Sequence, residues 1–100
     1  MTLRRVCATS ELPPGGVKRI EEPPIAVFHV GGTYFAISDT CTHAEASLSE
    51  GSLDCETVEC PLHGARFDLR TGEALTPPAI EPVQVFRVVL QENEIYVETE

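Results

Sequence analysis

The chain predicts an all-β fold, a sandwich or partial barrel of short antiparallel strands. Two observations carry that reading. Apolar residues come in short runs bounded by Gly, Pro and acidic turns, as strands do. No stretch sustains a helical period, and eight prolines spread along 100 residues disfavour long helices.

Taken in order, residues 3–7 read as a first strand and 10–16, with Pro13-Pro14-Gly15-Gly16, as a loop. Residues 17–21 form a second strand, ended by Pro23-Pro24. Residues 25–30 and 33–38 flank Gly31-Gly32, a pair that favours the primed turns whose twist suits a hairpin. Short strands at 57–60 and 65–69 follow, then a turn at Thr71-Gly72 and a stiff segment around Pro77-Pro78. Residues 83–91 and 94–99, joined across Glu92-Asn93, close the chain as a last hairpin. One domain over 1–100 is expected, with a metal-binding subregion at about 39–68 at its tip and a proline loop at about 76–82.

Composition narrows the function. Apolar content of 42% with 23% charged residues fits a folded soluble protein. No apolar run reaches the roughly 18 residues that a membrane span needs. The basic start, Arg4-Arg5, lacks an apolar signal core behind it, so a cytoplasmic location is the default expectation. A formal charge of −9 argues against nucleic acid or an anionic membrane as partner. Between positions 39 and 59 lie six acids (Asp39, Glu45, Glu50, Asp54, Glu56, Glu59) and no Lys or Arg. They read either as a solvated surface kept for solubility or as a region that steers the protein onto basic partners. Small size and high charge favour a monomer.

Two motifs carry the chemistry: Cys41-Thr42-His43 and, after sixteen intervening residues, Cys60-Pro61-Leu62-His63-Gly64. Each supplies one thiolate and one imidazole. Two cysteines on one iron and two histidines on the other make up the ligand set of a Rieske [2Fe–2S] centre. Neutral imidazoles in place of two thiolates remove negative charge from one iron and raise its affinity for an electron. Structural zinc is the competing reading of a Cys₂His₂ set. Zinc fingers usually pair like with like, whereas here each motif mixes Cys with His. A zinc-stapled β interaction module would be colourless. Both motifs fall in loops at strand ends, where a β scaffold can fix their roots.

The remaining candidates are plain. Cys7 and Cys55 have no neighbouring His or Lys in sequence and read as ordinary reduced thiols. His29 lies inside the apolar run 25–30 and reads as a strand residue. No Gly-x-Ser-x-Gly is present, and a 2-His-1-carboxylate iron site lacks further ligands, so catalysis by the chain itself is not expected.

With Ser47-Leu48-Ser49-Glu50-Gly51 between the motifs and the stretch 66–72 after them, the chain resembles, over essentially its whole length, the small Rieske-type ferredoxins of bacterial aromatic-ring-hydroxylating dioxygenases. The resemblance implies that Cys41 and Cys60 hold the inner iron of a [2Fe–2S] cluster and that His43 and His63 hold the outer one. Pro77 and Pro78 would then belong to a third loop covering the cluster. His43 and His63, with Glu45 beside them, would face partners. The residues around the cluster would include Ala46, Leu62, Gly64, Ala65 and Phe67. Rieske proteins of respiratory complexes carry a loop-bridging disulfide at the places of Ala46 and Leu62. They also carry hydroxyl donors at those of Ala65 and Phe67. Their absence, with the nearby acids, predicts a low reduction potential.

The function so implied is that of a diffusible one-electron carrier. It would take electrons from an NAD(P)H-dependent flavoprotein, a ferredoxin reductase, and deliver them to a terminal oxygenase. Service to a di-iron monooxygenase or a nitrite-reductase-type system is the alternative within the same chemistry. The aromatic substrate is not legible, because that choice lives in the oxygenase.

Overall fold

The computed structural model describes residues 2–21, 24–40, 47–61, 64–76 and 81–99. These form ten strands: β1 (Thr2–Ala8), β2 (Val17–Ile20), β3 (Ile25–Val30), β4 (Thr33–Ser38), β5 (Ser52–Asp54), β6 (Thr57–Glu59), β7 (Arg66–Asp68), β8 (Val85–Phe86), β9 (Val88–Gln91) and β10 (Glu94–Thr99). Two 3₁₀ turns, Thr9–Glu11 and Leu48–Glu50, are the helical elements among the described residues.

The strands build three antiparallel sheets, ordered β1-β10-β9, β2-β3-β4-β8 and β5-β6-β7. The second sheet is the middle of the molecule, and its strand β3 is buried on both faces. Ile25 and Val27 join Cys7, Leu12, Ala36, Ile95 and Val97 in a core shared with the first sheet. The alternate residues Ala26 and Phe28 turn the other way. They pack with Ile37, Leu48, Val58, Cys60, Phe67 and Leu69 against the third sheet. Double burial explains why Ile-Ala-Val-Phe-His-Val shows no polar alternation, which a one-sided strand requires. His29 is part of that run: its Nδ1 lies 2.7 Å from the Leu12 carbonyl, to which it donates its proton, and its ring stacks on Tyr34 at 4.2 Å.

Two hairpins follow the turn chemistry. Val30 pairs with Thr33 across Gly31 and Gly32, at φ 54° and 85°. Gln91 pairs with Glu94 across Glu92 and Asn93, at φ 49° and 65°. Both turns therefore have the doubly positive φ of type I′.

Elsewhere the structure departs from expectation. Strand β5, Ser52–Asp54, is not visible in the sequence, because Leu53 is its one apolar residue. Its hairpin to β6 turns through Cys55 at φ 54°, with no glycine to mark it. The expected strand over 83–91 is interrupted at Arg87: β8 pairs with β4 in the middle sheet and β9 with β10 in the first. One chain segment thus passes from sheet to sheet. Strand β1 carries an irregularity between Arg5 and Cys7 that places Cys7 opposite Ile95 in the core.

Candidate metal centre

The third sheet and the segments around it form a platform from which three loops spring. Of the four candidate ligands, Cys60 lies among the described residues; Cys41, His43 and His63 lie outside them, as do Glu45, Ala46, Leu62, Pro77 and Pro78. What is visible is the root of each loop, and every root is tied.

The first loop spans 41–46 and is closed by an antiparallel bridge between Thr40 and Ser47. Directly beneath it Asp39 is 1% exposed. Its carbonyl accepts the Leu48 N–H at 2.7 Å and its Oδ1 accepts the Ser49 N–H at 2.8 Å. Arg19 of β2 places Nε 2.8 Å from Asp39 Oδ2. Leu48 is fully buried and reaches the same core group as Cys60.

The second loop leaves β6 at Cys60 and returns at Ala65. The Cys60 N–H donates to the Ala65 carbonyl at 2.7 Å. Gly64 sits at φ 70°, a left-handed conformation that suits glycine. Cys60 is 1% exposed with a free thiol, and Ala65 and Phe67 are fully buried around it. Neither of those two side chains offers a hydroxyl. Gly51 sets the distance between the two loop roots: it packs so closely on the Glu59 carbonyl, one residue before Cys60, that a Cβ would collide with it.

The third loop covers 77–80. Its entry is fixed on β7, where the Leu75 N–H donates to the Arg66 carbonyl at 2.8 Å and the Arg66 N–H to Thr76 Oγ1 at 2.9 Å. Its exit is fixed where the Val83 N–H donates to the Gly72 carbonyl at 2.8 Å. Gly72, at φ 78°, approaches the Val83 carbonyl too closely for any side chain.

The acids around these loops are not the uniform surface that composition suggests. Asp39 is buried and structural. Arg66 lies 3.3 Å from both Asp54 and Glu59, and Arg70 lies 3.6 Å from Glu56. Glu50 is exposed, as are Asp54 and Glu56, but unlike them it makes no ion pair with a described residue. Sequence reasoning missed Asp39 as an anchor because its partner Arg19 comes from another strand. Gly51 and Thr76 carry no local signal of their roles. Cys7 and Cys55 stand apart from the loops: Cys7 is buried in the other core, where burial pushes its thiol pKa up, and Cys55 is exposed.

The donor chemistry suits an iron–sulfur cluster. A free, buried cysteine at a rigid strand end, beside a tight glycine turn and apolar neighbours, is a ligand position shielded from water. No group of three or more His, Cys, Asp or Glu gathers among the described residues.

Comparison with known proteins agrees with this chemistry. A family profile described as Rieske [2Fe-2S] domain matches residues 2–87. The chain is 51% identical over 94 residues to the 3-phenylpropionate/cinnamic acid dioxygenase ferredoxin subunit of Photorhabdus laumondii, covering 92% of this chain and 90% of the relative. It is 45% identical over 102 residues to the ferredoxin component of biphenyl 2,3-dioxygenase from Rhodococcus jostii, covering 100% and 95%. Among solved structures, it superposes with TM-score 0.91 and 44% identity on a chain from the complex of reduced oxygenase and oxidized ferredoxin in carbazole 1,9a-dioxygenase. That match covers 95% of this chain and 91% of the other.

Proposed function

This chain belongs to the Rieske [2Fe–2S] domain family, and we propose that it is the ferredoxin of an aromatic-ring dioxygenase system, with Cys41, His43, Cys60 and His63 as cluster ligands. It is an electron carrier; the ferredoxin relatives are components of dioxygenases and not the catalysts themselves. Membership in the family sets aside the zinc reading of the Cys₂His₂ set. Bound there, a [2Fe–2S] cluster supplies reversible one-electron chemistry and nothing else.

The residues' contributions follow from their placement. Cys60 presents its thiolate from the end of β6, held by its own backbone bond to Ala65. Cys41 and His43 would be supplied by the short segment between Thr40 and Ser47, which pair in a bridge, and Gly51 keeps the chain after that segment against the Cys60 strand. Ala65 and Phe67, both fully buried, would keep water from the cysteine side, and neither side chain carries a hydroxyl to donate to sulfur. His43 and His63 would form the port through which partners exchange electrons. We take 39–68 as the cluster-binding subregion and the loop through Pro77 and Pro78 as its cover. Thr76 and Val83 fix the two ends of that cover.

The oxygenase partner is supported by the carbazole complex, in which a similar ferredoxin sits with its oxygenase. A flavoprotein reductase as donor, a monomeric state and a cytoplasmic location complete the proposal. Among the described residues no helix is long and apolar enough to cross a membrane. The three relatives serve phenylpropionate, biphenyl and carbazole systems on similar ferredoxins. That spread fits a carrier that takes no part in choosing the substrate.

The observation that carries the ligand assignment is the buried free thiol of Cys60 at a tied loop root. Iron and acid-labile sulfide analysis with EPR after dithionite tests it. The expected result is two irons and two sulfides per chain with a rhombic reduced signal. His63→Cys should then shift the spectrum toward an all-cysteine type. An unchanged spectrum in that variant removes His63 from the ligand set.

A further inference from the structure

We propose that Asp39 is a positioning residue for the cluster: with Arg19 it clamps the base of the first ligand loop and thereby fixes where that loop presents its ligands. The inference rests on the ligand assignment above.

A buried carboxylate is costly to desolvate and is retained only where its oxygens and its charge are matched. Asp39 is matched on every side. Its N–H donates to the Pro24 carbonyl at 3.0 Å, its carbonyl accepts from Leu48, its Oδ1 from Ser49, and its Oδ2 from Arg19 Nε. Those partners come from three places: the segment before β3, the strand β2, and the 3₁₀ turn that follows the loop. Asp39 itself directly follows β4, two residues before Cys41. The side chain therefore joins the incoming and outgoing ends of the 41–46 loop and ties both to the middle sheet. The Thr40–Ser47 bridge and the backbone bonds of Asp39 tie the root through the main chain, and the carboxylate adds the tie from Ser49 to Arg19 of β2.

The outgoing end matters for Cys60 as well. Ser49, held by Oδ1, lies between Leu48, buried in the same core group as Cys60, and Gly51, seated on Glu59. Releasing Ser49 loosens the contact that keeps the two ligand loops in register. Arg19 is the outer half of the clamp: its side chain is 43% exposed and also reaches Glu21 at 3.3 Å. It orients the carboxylate from β2.

The test uses the holoprotein. Cluster loss in excess iron chelator is followed by bleaching of the visible absorption, alongside the EPR spectrum of the reduced form. Outer-shell substitutions at metal sites typically weaken binding roughly 10- to 100-fold. Asp39→Ala should shed its cluster faster by a factor in that range, with broadened EPR features. Asp39→Asn keeps an acceptor for the Ser49 N–H and should fall between Asp39→Ala and wild type. Arg19→Gln should resemble Asp39→Asn. Val97→Ala, in the other core group, serves as the reference for lost stability alone and should keep both cluster lifetime and line shape. If Asp39→Ala does not fold, Asp39→Asn and Arg19→Gln decide. Wild-type lifetime and spectrum in those variants overturn the clamp, as does Val97→Ala losing cluster equally fast. A wild-type protein without a Rieske spectrum overturns the ligand assignment instead, so the two failures are distinct.

Discussion

On the proposed ligand assignment, Phe67 would stand where the Rieske proteins of respiratory complexes carry a hydroxyl. It is fully buried, pairs with Val58 across β6 and β7, and packs in the same core as Cys60 and Ala65. A hydrogen bond to sulfur stabilises the added electron, so its absence should keep the reduction potential low, at roughly −150 mV, the low end for Rieske centres. Phe67→Tyr supplies the missing donor. One hydrogen bond is worth about 1 kcal/mol, and 59 mV corresponds to a tenfold change for a single electron. The variant should therefore titrate roughly 40 mV higher in a spectroelectrochemical measurement. An unchanged or lower potential would show that this side chain does not face the cluster sulfur. Ala65 and Phe67 were legible as positions because the second motif numbers them. Asp39 was not: it counted as one more surface acid until the fold brought Arg19 to it.

Elements differ in how plainly they announce themselves. The β3–β4 hairpin is legible because Gly31-Gly32 between two apolar runs favours a primed turn. The β9–β10 hairpin adopts the same turn type with Glu92 and Asn93, residues that pay for positive φ. Glu92→Asn with Asn93→Gly should raise stability by about 1 kcal/mol, read as a melting temperature about 4–8 °C higher for a domain this size. The cluster spectrum should not change, since this hairpin lies in the sheet away from the ligand loops. Strand β5 stayed hidden because Cys55 makes its turn without a glycine, and tertiary pairing with β6 overrides weak local propensity. The neighbouring Gly51 shows the converse, a glycine demanded by close approach at an ordinary φ of −82°. Gly51→Ala must push the loop-bearing turn off the Glu59 carbonyl. We expect a loss of roughly 1–3 kcal/mol, the usual range for overpacking. Cluster occupancy in freshly purified protein should fall as well. Full occupancy at wild-type stability would mean that the two loop roots can separate freely.

At the scale of the whole molecule, a small carrier that visits two partners needs encounters that are fast and short-lived. Its charge of −9 is well suited to steering, but the usable charge is smaller than the total near the cluster. Asp39 is consumed by the clamp, and Asp54, Glu56 and Glu59 are partly neutralised by Arg66 and Arg70. Glu50, Asp54 and Glu56 are all exposed, but Glu50 makes no ion pair with a described residue whereas Glu56 faces Arg70, so removing Glu50 should matter more than removing Glu56. Steering works over a Debye length of about 10 Å at 0.1 M salt, so it weakens as salt rises. The second-order rate of electron transfer to a basic partner should therefore fall steadily between low and high ionic strength. Glu50→Gln should lower the low-salt rate and flatten the slope, while Glu56→Gln should leave both close to wild type. The measurement is stopped-flow oxidation of the reduced ferredoxin by the oxygenase across a salt series. A rate indifferent to salt would mean that docking relies on the shape of the loop tips, with the acidic surface serving solubility alone.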